Sequence, residues 1–139
     1  MMSLKLAVAL AVVAALSLPV VAAARQDALL AVYKKEAAAA NPSFAGFSAE
    51  RGKAFFLADH TGGKPDTPSC TTCHTKNPAN VGQTRAGKAI DPMAVSANPD
   101  RFTDMAKAEK WFARNCSTVL GRECTPAEKG DFITFMMQL

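Results

Sequence analysis

Five residues, Cys70-Thr71-Thr72-Cys73-His74, constrain this chain more than any other stretch. C-x-x-C-H is the spacing that attaches a haem covalently. Two thiols on one helical turn can each add to one haem vinyl group, and the histidine after the second thiol then lies under the porphyrin as the proximal iron ligand. A bare C-x-x-C is also compatible with a redox dithiol or half of a zinc site. The first needs a flanking strand–helix pattern, which is missing here. The second needs a matching pair elsewhere, and Cys116 and Cys124 are too widely spaced to form a knuckle.

The N-terminus supplies a context for the motif. Lys5 precedes an apolar run from Leu6 to Leu18, and Pro19 is followed by Ala22-Ala23-Ala24. This is the pattern of a secretory signal peptide over residues 1–24, cut after Ala24. The apolar run is shorter than the ~20 residues that a membrane span requires, so no stable membrane insertion is expected. A mature domain over residues 25–139 is expected in the periplasm, where bacteria attach haem c. Cys116 and Cys124 then remain in an oxidising compartment, in which pairing is the default.

The formal net charge of +4 falls to +3 once Lys5 is removed. That mild excess suits an acidic redox partner or an ordinary solvated surface. No dense basic block interleaved with aromatics exists, which excludes a nucleic-acid surface. Lys64, Arg85 and Lys88 are either solvated charges or partners for haem propionates and a docking protein.

Periodicity divides the mature chain into helices. Gln26 to Ala40 reads as an amphipathic helix, with Leu29, Val32, Tyr33 and Ala37 on one face and a stop at Asn41-Pro42. Ser48 is a good N-cap for a second helix running to about Ala58, in which Gly52 admits a close neighbour and Phe56 packs into the contact. The Gly/Pro-rich segment 61–69 delivers the chain to the motif. Residues 76–100 lack periodicity; Ile90, Met93 and Val95 are the side chains expected to bury against a porphyrin. A third helix is expected from about Asp104 to Asn115, with Met105, Ala108, Trp111, Phe112 and Asn115 forming one face. Thr125-Pro126-Ala127-Glu128 combines an N-cap, a proline at the first helical position and a capping-box glutamate, so a last helix follows with Phe132, Phe135, Met136 and Leu139 as its stripe. No sustained strand pattern occurs. The expectation is an all-α, class I cytochrome c-like fold with one haem and an extra N-terminal helix.

The sixth iron position separates a plain electron carrier from a ligand-binding protein. His60 lies just before the flexible loop of Gly62-Gly63 and suits a surface role. Met93, beside Pro92 in an irregular segment, is either a thioether ligand or an apolar filler. Met105, Met136 and Met137 fall on helical stripes and belong to the core. Asn115 at the end of the third helix is either a C-cap or a group aimed at a cofactor.

Several stretches carry a resemblance. They are residues 61–74 (TGGKPDTPSCTTCH), 82–88 (GQTRAGK) and 98–104 (NPDRFTD), with Glu109-Lys110-Trp111, Arg114-Asn115-Cys116 and residues 121–126 (GRECTP). From Gly62 to the last helix the chain resembles the oxygen-binding, high-spin-type class I cytochromes c of the sphaeroides haem protein family, to which cytochrome c″ is related. The resemblance implies Asn115 as a distal ligand in the oxidised protein that leaves on reduction, freeing the iron for O₂, NO or CO. It implies a Cys116–Cys124 bridge bracing that site. It also implies electron exchange with a dihaem cytochrome c and a membrane cytochrome b, and leaves open a weak turnover of O₂ or nitrogen oxides. In cytochrome c″ a histidine takes the distal role that Asn115 takes here. Met93 departs from the family pattern, and the alternative function is a plain electron-transfer cytochrome with permanent His74 and Met93 ligands.

Overall fold

The computed structural model describes residues 18–139, and the expected signal peptide lies largely outside the described residues. Five helices and one minimal hairpin follow in order: α1 (Leu18–Ala40), α2 (Ala49–Leu57), α3 (Thr71–His74), β1 (Gly82–Gln83), β2 (Ala89–Ile90), α4 (Met105–Leu120) and α5 (Pro126–Met137). Among the described residues no helix is long and apolar enough to cross a membrane.

Helix α5 is the hub, packing against both α2 and α1. Its start is built as the local sequence demands. The Thr125 side chain accepts from the Glu128 amide, the Glu128 side chain accepts from the Thr125 amide, and Pro126 occupies the first turn. Phe132, Phe135 and Met136 are buried, with Ile133 completing the set; Leu139 lies past the helix end and is exposed. Helix α2 crosses α5 at Gly52, where a methyl group would overlap the Asp131 carbonyl. The Asp131 side chain closes the same contact. Its carboxylate accepts from the Ser48 amide at 2.7 Å and from Arg51 Nε at 2.8 Å.

Leu29, Tyr33 and Ala37 of α1 face the core as the periodicity requires, together with Gln26, whereas Val32 turns to solvent. Gln26 Nε2 donates to the carbonyls of Pro99 (3.0 Å) and Arg101 (2.8 Å), tying α1 to the segment that leads into α4. A polar cluster joins three helices. Tyr33 Oη donates to Glu109 of α4, and Lys129 Nζ of α5 donates to the same carboxylate at 2.8 Å. The Tyr33 hydroxyl is held well above its ordinary pKa, first by burial and then by its bond to Glu109. Between these helices Phe112 stacks edge-on against both Tyr33 and Phe132, and Phe56 meets Phe132 and Phe135.

Four elements differ from expectation. Helix α1 is already formed at Leu18, ahead of the expected start at Gln26. Residues 76–100 contain a two-residue antiparallel ladder, Gly82 opposite Ile90 and Gln83 opposite Ala89, too short to leave a pattern in sequence. Within the same segment Ala94 is fully buried, while Ile90, Met93 and Val95 are half-buried. Helix α4 continues past Asn115 to Leu120, because Gly121 at φ 68° supplies the left-handed stop.

Candidate functional site

Cys70, Cys73 and His74 are brought together by a single short turn. The His74 amide donates to the Cys70 carbonyl at 3.0 Å, so Cys70, the N-cap of α3, and Cys73 and His74 at its end share one helical turn. Thr75 ends that turn at φ 60° and ψ 172°, a region that is almost glycine-only and costs a residue with a side chain about 1–3 kcal/mol. The strain falls on the residue that follows His74. Gly82 of β1 packs so closely on the Cys73 carbonyl that no side chain could be accommodated there.

Both motif thiols are free and half-buried. Burial pushes the Cys70 thiol up to about 11, the opposite of what a disulfide-exchange nucleophile needs. His74 is held below the usual imidazole range, chiefly by burial and then by the nearby Arg101 guanidinium. An imidazole kept neutral, next to two unpaired thiols one turn apart, fits a covalently attached haem. Motif spacing did not reveal Arg101. Its guanidinium donates to the carbonyls of Pro92 (2.9 Å) and Asp91 (2.6 Å), so it pins the Met93 loop to the His74 side of the molecule. Contacts between residues far apart in sequence leave no local signal.

Met93 is half-buried and packs against the core, while its amide donates to the Pro78 carbonyl at 2.8 Å. His60 is occupied elsewhere. Its Nε2 donates to the Phe55 carbonyl at 2.9 Å and its ring stacks on Phe55 at 5.0 Å. Arg85 pairs with Asp66, while Lys64 and Lys88 are exposed. A shallow cavity of about 480 Å³ borders Cys73 and the hairpin but touches neither His74 nor Asn115.

Asn115 lies inside α4, five residues before its last residue, and is exposed. Capping does not explain it. The next residue, Cys116, is bridged to Cys124 with a Cα–Cα distance of 5.6 Å, and both cysteines are buried. The bridge clamps the end of α4 to the approach to α5. The loop before the motif touches the same turn: Gly62 and Gly63 meet the backbone of 118–121 without room for a Cβ, and the Lys64 amide donates to the Thr118 carbonyl at 2.8 Å.

A helical domain wrapped around one C-x-x-C-H turn defines the class: an all-α c-type cytochrome with a single attachment motif. Residues 42–136 match the model of a domain of unknown function (DUF1924). The cytochrome c-type protein SHP of Cereibacter sphaeroides is 58% identical over 101 residues, covering 73% of this chain and 75% of that protein. Cytochrome c″ of Methylophilus methylotrophus is 38% identical over 112 residues, covering 80% of this chain and 78% of its own length. The structure of oxidised SHP, an oxygen-binding cytochrome c, matches with a TM-score of 0.75 at 52% identity, over 82% of this chain and 96% of that one. The crystal structure of oxidised cytochrome c″ from Methylophilus methylotrophus matches with a TM-score of 0.69 at 37% identity, over 82% and 94%. The chain belongs to the DUF1924 family and is a relative of SHP and cytochrome c″, and its cofactor is a covalently attached haem c.

Proposed function

We propose that this chain is an exported, periplasmic monohaem cytochrome that exchanges electrons and, once reduced, binds a small diatomic molecule at a distal side controlled by Asn115. A haem bound here would supply a one-electron couple and an iron open to small ligands. Cys70 and Cys73 anchor the group, and His74 provides the proximal nitrogen.

The observation that carries the proposal is the position of Asn115 in the interior of α4. Asparagine is a poor residue inside a helix because its amide competes with the backbone, and its usual compensation is a terminal cap. Here Gly121 ends the helix, so Asn115 has no capping duty. A neutral amide oxygen is a hard, weak donor that suits ferric iron and matches softer ferrous iron poorly. Reduction therefore favours its departure. The freed amide keeps two N–H donors that can hydrogen-bond an O₂, NO or CO molecule. Cys116–Cys124 holds the Asn115 backbone in place while the side chain changes partner. The description of SHP as an oxygen-binding cytochrome c supports this ligand class.

Export is supported by the pattern over residues 1–24 and by the onset of packing in α1. Among the described residues Gln26, two positions past the expected cut, is the first that is buried, whereas Val20 and Val21 are 57% and 40% exposed. The mild positive charge suits acidic redox partners, and the resemblance to the sphaeroides haem protein implies a dihaem cytochrome c and a membrane cytochrome b as the pair.

Optical spectra test the proposal. The reduced protein should show a high-spin spectrum that shifts promptly on adding CO, and Asn115→Ala should alter the ferric spectrum while leaving the haem attached. An unchanged ferric spectrum in that variant removes Asn115 from the iron. An iron–thioether absorption band in the ferric protein would assign the position to Met93 and make this a plain electron carrier.

A further inference from the structure

Trp111 is the chain's single tryptophan, and it stands one helical turn before Asn115. Helical spacing places the pair together on one flank of α4, while Phe112, Cys116 and Val119 take the core-facing side. The contrast between neighbours is large: Phe112 is 9% exposed and Trp111 is 42% exposed. An indole left 42% exposed forgoes part of its burial gain, so its placement calls for a reason.

The ring is also held. Lys110 Nζ lies 5.9 Å from its centroid and the Arg114 guanidinium 5.7 Å, both from positions on the outer side of the helix. Side chains on a helix lean towards its N-terminus, so the Asn115 side chain leans over the turn that carries Trp111. The two cations flank the indole, and Asn115 is its neighbour one turn on in the same helix.

Resting on the assignment of Asn115 above, we propose that Trp111 is a positioning residue of the distal site, its indole forming the wall that confines both the Asn115 amide and the incoming ligand. A wall of this size limits the space next to the amide. It favours a diatomic ligand over a larger nitrogen base such as imidazole, and it restricts how far the detached amide can swing.

A single tryptophan makes a direct test possible. In the ferrous protein saturated with CO, which is diamagnetic, proton NMR contains one indole Nε1–H resonance. Haem ring current should displace it from the ordinary indole range, and a resonance at the ordinary position overturns the proposal without any variant. Stopped-flow mixing of the reduced holoprotein with CO gives the second readout. Trp111→Ala should raise the association rate about tenfold, the equivalent of ~1.4 kcal/mol off the barrier. The same variant should bind added imidazole, and Trp111→Phe should restore most of the wild-type behaviour. Association within about twofold of wild type in Trp111→Ala, with no imidazole binding, also overturns the proposal. Failure of the Asn115 assignment is separately visible: Asn115→Ala would then leave the ferric spectrum unchanged while the indole resonance still reports where Trp111 lies.

Discussion

At Gly52 a missing side chain decides how two helices meet. Any Cβ would collide with the Asp131 carbonyl, and backbone cannot yield as the tip of a side chain can. Gly52→Ala is expected to lower stability by about 1–3 kcal/mol through overpacking, measurable as a lower urea midpoint with little change in slope. Asp131 works in the opposite sense, by what it supplies. Its buried carboxylate serves the Ser48 amide and the Arg51 guanidinium at once. Asp131→Ala leaves the Ser48 donor unpaired and should cost about 1–3 kcal/mol, with the same measurement as the check. The close approach at Gly52 was legible from the sequence, since a glycine one turn before a buried phenylalanine invites a neighbour. The role of Asp131 was not, because its partners lie some eighty residues away along the chain.

Among the elements, α5 was the most legible and the β1–β2 hairpin the least, while α4 was read with its end too early. The Thr125–Glu128 box and Pro126 are local devices that act whatever the rest of the fold does. Thr125→Ala should cost about 1 kcal/mol, seen as a lower thermal midpoint. In α4 the asparagine was a plausible end, but Gly121 is the stronger stop, and Cys116, Val119 and Leu120 between them are buried. The candidate site divides along the same line. C-x-x-C-H declares itself through spacing alone, whereas an asparagine acquires meaning only once its place in a finished helix is known. Arg101 and the Tyr33–Glu109–Lys129 cluster depend on tertiary contacts and leave no periodic trace. The bridge between α4 and α5 is the element-scale test. Replacing Cys116 and Cys124 together with Ser should lower stability by about 2.5 kcal/mol for a loop this short. The haem should remain attached, checked by mass and by the reduced spectrum.

For the whole molecule, the acid limb of stability follows from two carboxylates. Burial acts to raise both, but hydrogen bonds from Lys129 and Tyr33 hold Glu109 below its ordinary value of 4.5, and Arg122 with the Thr125 amide does the same for Glu128. A group depressed in the folded state adds stability that is fully present above its unfolded pKa and is lost as pH falls through the folded one. Urea midpoints should therefore hold above about pH 4.5 and decline below it. Glu109→Gln should flatten that decline, though only in part, since the side chain is half in water and solvent screens the pair. The four cysteines bear on how such a molecule is assembled. Cys116 and Cys124 are separated by 8 positions, and between them they leave Cys70 and Cys73 unpaired. A motif thiol stands about forty residues from Cys116, and closing that longer loop costs about 1.5 kcal/mol more, roughly a tenfold handicap in any contest for a partner. Local distance along the chain thus disfavours mixed bridges between the two pairs during maturation, but it does not oppose a bridge between Cys70 and Cys73, whose loop is shorter still, so the motif pair must meet the porphyrin in reduced form.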